Sequence, residues 1–188
     1  MKRVALALCV LVLAVASATA FAADVAGVKL PDTVEVDGKT LKLNGAGVRK
    51  KFVAKVYVAA LYVETPSKDA STLIASSQIK SMRLRMLRDV KGSSVSGAIA
   101  DGFSRNSKSA MAQLQPRLDQ LAKMIPDVSE GDTIELTWIP DKGTQVVVRG
   151  TTAGTITGRD FADALFAVWL GPDPVQADLK LALLGSPS

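Results

Sequence analysis

The chain has 188 residues, 48% of them hydrophobic and 22% charged, with a formal net charge of +5. That balance belongs to one globular domain and excludes a disordered or collagen-like chain. Histidine is absent and cysteine occurs once, at Cys9, which excludes a histidine general base, a Ser–His or Cys–His nucleophile and a zinc site of imidazole and thiolate.

The first residues read as a leader. Lys2 and Arg3 precede an unbroken apolar run of 13 residues, Val4 to Ala16, and Ala20-Phe21-Ala22 offers small residues around a cleavage point, with Ala18-Thr19-Ala20 as a second choice. A retained anchor is the alternative, since Val4 to Ala23 is just long enough to span a bilayer. The Ala-, Ser- and Thr-rich end and the lack of a charged stop-transfer flank favour cleavage after Ala22. We therefore expect a signal peptide over 1–22, a single domain over 23–188, and export to the periplasm of a bacterium. Cleavage removes Cys9, so no disulfide can brace the remainder. It also removes Lys2 and Arg3, which lowers the net charge to +3, too mild to argue for nucleic acid or an anionic membrane surface.

In chain order, Thr33–Val36 and Lys39–Leu43 flank Asp37-Gly38, a strong signal for a two-residue hairpin turn. Val48 to Glu64 is β-rich and apolar on both faces, so it should be covered on both sides. It can be one strand or two, Val48–Phe52 and Lys55–Val63. A short helix, capped by Ser67, is expected to Ser76. Ile79 to Arg88 alternates, with Met82, Leu84 and Met86 on one face and Arg83 and Arg85 on the other. A helical region opens at Ser93 or Ser94 and runs to Met124, with Gly102 and Pro116 arguing for two pieces or a kink.

Thr133–Ile139, the turn Pro140–Gly143, Thr144–Arg149 and Thr151–Thr157 complete the strands. Asp160 is placed to cap a helix with Phe161, Leu165, Phe166 and Trp169 inward. Pro174 suits the first turn of a last helix, packed through Leu179 and Leu183. Strands and helices come in blocks rather than in regular βαβ alternation. The expected class is α+β, with a long antiparallel sheet and helices packed on one side.

The chemistry available is narrow. Gly45-Ala46-Gly47 lacks the third glycine and following helix of a dinucleotide site, so a bulge or bend that delivers Arg49 is the better reading, and no cofactor is expected. Arg49 offers a planar fork for a carboxylate or enolate oxygen. Tyr57 could join it only if the chain turns between them, because eight residues of one strand span about 26 Å. Otherwise Arg49 is a surface charge and Tyr57 a core residue. Arg83 and Arg85 read as a solvated strand face or the lining of an anion-binding cleft. Met82, Leu84, Met86, Trp138 and Trp169 read as core. Glu64, Asp101 and Asp163 show no pairing suited to acid–base work, and no metal is expected.

Gly45-Ala46-Gly47-Val48-Arg49, followed by Lys55-Val56-Tyr57-Val58-Ala59-Ala60-Leu61-Tyr62-Val63-Glu64, resembles the opening of the chalcone isomerase-like family. Asp160–Phe166, Trp169-Leu170-Gly171 and Asp178-Leu179-Lys180 resemble its closing helices. The resemblance implies that family's open-faced β-sandwich. It also implies either of two activities: closure of a chalcone to a flavanone by an isomerase of the intramolecular lyase type, or non-catalytic binding of a fatty acid whose carboxylate is gripped by Arg49 and Tyr57. Where the isomerases carry a threonine, this chain has Tyr57. Their tyrosine, asparagine and specificity hydroxyl fall near Val95, Gly102 and Val168. The expectation is thus a non-catalytic binder of a hydrophobic carboxylate. An isomerase of a phenolic substrate and an envelope scaffold without small ligand are the alternatives.

Overall fold

The computed structural model describes residues 21–186. Of the leader expected over 1–22, all but Phe21 and Ala22 lies outside them.

Strands β1 (Phe21–Val25) and β2 (Val28–Pro31) form a separate two-stranded hairpin. Next come β3 (Thr33–Val36), β4 (Lys39–Lys51) and β5 (Ala54–Val63). Helix α1 (Ala70–Ala75) precedes β6 (Lys80–Met86). Helix α2 (Gly92–Asn106), a 3-10 turn (Lys108–Ala110) and α3 (Met111–Met124) follow. The remaining elements are β7 (Thr133–Ile139), β8 (Gly143–Val148), β9 (Thr151–Ile156), α4 (Arg159–Leu170) and α5 (Ala177–Leu183). Strands β3 to β9 pair antiparallel in sequence order, one seven-stranded meander. Asp37 and Gly38 both take positive φ, 52° and 74°, the two-residue turn that their sequence demands.

The alternation along the strands decides the layers. Ala59, Leu61 and Val63 of β5, Met82, Leu84 and Met86 of β6, and Ile134, Leu136 and Trp138 of β7 face inward, where the helices cover them in the larger core. Val58, Ala60 and Tyr62 face outward into a smaller core shared with Leu30 and Leu41. There the β1–β2 hairpin covers part of the outer face, and Tyr62 donates to the Pro31 carbonyl at 3.1 Å. Strand β5 is therefore covered on both sides, as its two apolar faces require. The hairpin itself was not anticipated. Its turn is Ala26-Gly27 and its strands are short, so it carries little periodic signal.

Several local expectations are corrected. Asp69, not Ser67, caps α1. Its carboxylate accepts from the Thr72 amide at 2.6 Å, while Ser67 Oγ accepts from the Asp69 amide at 3.1 Å. Gly102 does not break α2: a Cβ there would lie 2.7 Å from Val168 Cγ1, so glycine lets α2 and α4 close together. The break falls after Asn106, whose side chain joins the Gly102 carbonyl of its own helix, at 2.9 Å, to the backbone of Asp173. Pro116 sits inside α3 on its exposed side, at the loss of one backbone hydrogen bond. Gly158 occupies the N-cap of α4, and Asp160, in the first turn, is gripped by Arg117 through two bonds of 2.8 and 2.5 Å. Helix α5 starts at Ala177, so Pro174 belongs to the preceding loop. Among the described residues no helix is long and apolar enough to cross a membrane.

Candidate functional site

The β-rich stretch reverses at Phe52-Val53. Arg49 on β4 and Tyr57 on β5, which one continuous strand would hold far apart, become direct cross-strand partners on the inward face. The register slips beside Gly45 and again beside Arg49, so the expected bulge is present. The glycines serve a second purpose. A Cβ on Gly45 would lie 2.2 Å from the Ala182 carbonyl oxygen, and one on Gly47 would lie 2.7 Å from Ala182 Cβ. Helix α5 thus rests directly on the β4 backbone, and the first long side chain beyond its seat is Arg49.

Arg49 is half-buried and lines a cavity of about 500 Å³ between the sheet and the helices. That lies within the roughly 300–1,000 Å³ of small-molecule sites. Arg49 donates to its neighbour's carbonyl, on Lys50, and to Gln176 Oε1 at 3.3 Å. Gln176 also accepts from the Lys50 amide at 2.8 Å and donates to the Val48 carbonyl at 3.3 Å, which ties the start of α5 to β4. No carboxylate pairs with Arg49 among the described residues. The guanidinium is oriented by neutral acceptors and keeps its charge for something else.

The Tyr57 hydroxyl accepts from Trp169 Nε1 at 3.1 Å. Its own proton is left to donate. Burial raises its pKa above the ordinary phenol value, against the opposing pull of the Trp169 bond and the Arg49 charge, so it is a neutral donor at physiological pH. Trp169, expected as core, is thus both a buried residue and the orienting partner of Tyr57. Gln176 and Trp169 were not among the sequence candidates, since an isolated Gln carries no signal and Trp169 reads as core.

Away from this polar corner the wall is largely apolar, formed by Val56, Leu84, Val95, Ile99, Val168 and Val175, with Ser94 the one hydroxyl in it besides Tyr57. Val95 and Val168, where the resemblance puts hydroxyl-bearing or amide groups, are in the wall, and Gly102 packs against Val168. The rim also carries Lys51, Asp101 and an Arg105–Asp173 pair at 3.5 Å. Asn106 holds that rim, donating to the Asp173 carbonyl at 2.7 Å and accepting its amide at 3.0 Å. The site can therefore bind an anion at one end and hydrocarbon along the rest.

Arg83 and Arg85 lie on the opposite face of the sheet. Arg83 pairs with Glu135 at 3.2 Å and stacks over the Tyr62 ring, while Arg85 is exposed. Neither reaches the cavity. Among the described residues no cluster of three or more acidic, histidine or cysteine side chains could hold a metal ion.

A family model described as chalcone isomerase-like matches residues 22–185. Among solved structures, a fatty-acid binding protein of Arabidopsis thaliana superposes with a TM-score of 0.64 at 14% identity, covering 84% of this chain and 92% of that one. No curated protein matches the chain in sequence. The antiparallel sheet with helices on one side is the architecture of that plant protein.

Proposed function

Since the chain belongs to the chalcone isomerase-like family, we propose that it is a non-catalytic periplasmic member that binds a hydrophobic carboxylate such as a fatty acid. One observation carries the reading: Arg49 and Tyr57 stand side by side at one end of a cavity whose inner wall is largely apolar. A carboxylate there would take a charge-assisted fork from Arg49 and one bond from the neutral phenol. Its tail would leave water along the valine and isoleucine wall. The fatty-acid binding protein among the structural neighbours is consistent with this chemistry. A cavity of this size with a cation at one end favours a ligand over a pure scaffold. Apolar Val95 and Val168 speak against cyclisation, which needs groups that orient a phenolate.

Titration with a fluorescent fatty acid is the test. Charge-assisted hydrogen bonds are worth roughly 1.5–3 kcal/mol, so Arg49→Ala should weaken binding about ten- to a hundredfold. Tyr57→Phe should cost less, because it removes one hydrogen bond and keeps the ring. Equal affinity in all three proteins would sink the site, and chalcone turnover that disappears in Arg49→Ala would make the protein an isomerase.

Export rests on the leader. The β1–β2 register is regular from Ala23 onward and slips between Phe21 and Ala23, so cleavage after Ala22 would leave the regular pairing intact. Edman sequencing of the exported protein should begin at Ala23 or within a few residues of it. An envelope species that still begins at Met1 would mean a retained anchor.

A further inference from the structure

The turn between β4 and β5 is built against the interest of the fold. Phe52 is 92% exposed and Val53 98% exposed, the two most exposed large hydrophobic side chains among the described residues. Phe52 also holds φ at 54°, a conformation that is cheap for glycine and strained for a bulky residue. Lys50 and Lys55 face each other directly across the two strands, and like charges in that relation repel. Lys51 adds a third exposed cation, and none of the three has an ion-pair partner among the described residues. Backbone strain, exposed hydrocarbon and unpaired like charge each cost stability, and here they coincide within six residues.

A surface that is apolar inside and anionic outside would relieve two of these costs. It would take Phe52 and Val53 out of water and neutralise the three lysines. The place of the tip matters as well. Lys51 lines the cavity, as do Val56 and Tyr57 on the other arm of the hairpin, so whatever the tip touches lies beside the cavity rim. We propose that the β4–β5 turn is a membrane-docking tip, which inserts Phe52 and Val53 among the acyl chains of an anionic phospholipid surface while Lys50, Lys51 and Lys55 contact the headgroups. The purpose given to docking, passage of an amphiphile between bilayer and cavity, rests on the carrier reading above; docking itself does not. A short apolar wedge with a few cations gives reversible rather than permanent attachment, which suits such exchange.

The test uses Phe52→Trp in the protein as recovered from the expressing cell. The native Trp138 and Trp169 are buried, at 7% and 2% exposure, so the introduced indole is the one that lipid can reach. Vesicles of phosphatidylglycerol and phosphatidylethanolamine with brominated acyl chains should quench it and shift its emission to the blue. Vesicles of phosphatidylcholine should do so weakly, and rising salt should reduce the effect. Replacing Lys50 and Lys55 together by glutamine should weaken vesicle binding about tenfold or more. Phe52→Gly, which relieves the strained φ, should keep the fold and the fatty-acid affinity and lose the vesicles.

An indole that is unquenched on anionic vesicles, or equally quenched on phosphatidylcholine, overturns the proposal. So does a tip that binds a protein partner and ignores lipid. Quenching needs no bound fatty acid, so the two readings fail separately. A quenched tip in a protein without fatty-acid affinity removes the carrier and leaves docking. A protein that binds fatty acid with an unquenched tip does the reverse.

Discussion

Gly45→Ala should destabilise the protein by about 3 kcal/mol or more, at or above the upper end of the usual cost of overpacking a close contact. The added methyl would lie 2.2 Å from the Ala182 carbonyl oxygen, 2.7 Å from that of Leu183 and 2.8 Å from the Leu183 carbonyl carbon. All three are backbone atoms at the end of α5, and no side chain can swing aside to make room. Helix α5 must lift, which strains the Asn44 bond to the Leu183 carbonyl at 2.7 Å and the Gln176 bonds to β4. Because Gln176 also orients Arg49, ligand affinity should fall together with stability. Gly97→Ala is the internal control. Gly97 is exposed in mid-helix, and a methyl group there would meet nothing within 4 Å, so alanine should stabilise by up to about 1 kcal/mol. Urea unfolding of the two variants should move in opposite directions. A Gly45→Ala protein as stable as the wild type would mean that α5 does not rest on β4.

The same glycines show what a reading of the sequence can reach. The Gly-x-Gly-x-Arg spacing singled out Arg49, and alternation sorted inward from outward residues along β6 and along β5 from Val58 onward, whereas Val56, which alternation places with Val58, lines the cavity beside Tyr57. Asp37-Gly38 announced its turn because both residues tolerate positive φ. Phe52-Val53 announced nothing, since neither residue is a turn former, so whether Arg49 and Tyr57 meet could not be decided from spacing alone. The cross-strand register decides it. Trp169 reads as core from its helical stripe, and only the tertiary packing shows its indole N–H aimed at Tyr57. The α1 cap lies two residues beyond the expected one for a local reason: Ser67 takes the Asp69 amide in a turn before the helix, and Asp69 takes the Thr72 amide at the helix start itself. Pro174 looked like a helix start because proline suits a first turn, yet Asn106 holds the adjoining residue Asp173 in the rim, and the helix begins beyond it.

Lys80→Met should cost about 3 kcal/mol or more, because it takes the donor from three backbone carbonyls at the end of α1, at about 1–3 kcal/mol for each acceptor left unsatisfied. Lys80 opens β6 on its inward face and is 1% exposed. Its ammonium donates to the carbonyls of Leu73 at 3.0 Å, Ile74, and Ser76 at 3.1 Å. Those groups end α1, a six-residue helix with no basic residue in its last turn. Such a helix is too short to hold itself together, and its final carbonyls need donors. Asp163 on α4 lies 3.7 Å from the same nitrogen and the Phe166 ring 5.3 Å away, so one cation joins α1, β6 and α4. Methionine keeps the length of the stem and leaves three carbonyls and a carboxylate without it. The pH dependence separates the charge from the packing. Burial pushes Lys80 down to about 8 from an ordinary 10.5, and Asp163 only partly opposes this. Between those two values the unfolded chain holds the proton more tightly than the folded one, so the Lys80 contribution to stability rises with pH. Below about pH 8 both states are charged, and the contribution is flat. Wild-type stability measured relative to Lys80→Met should therefore climb from pH 8 towards 10.5. A difference that stays level across that window would show that burial does not depress the ammonium, and a Lys80→Met protein of unchanged stability would show that α1 is held by its apolar contacts alone.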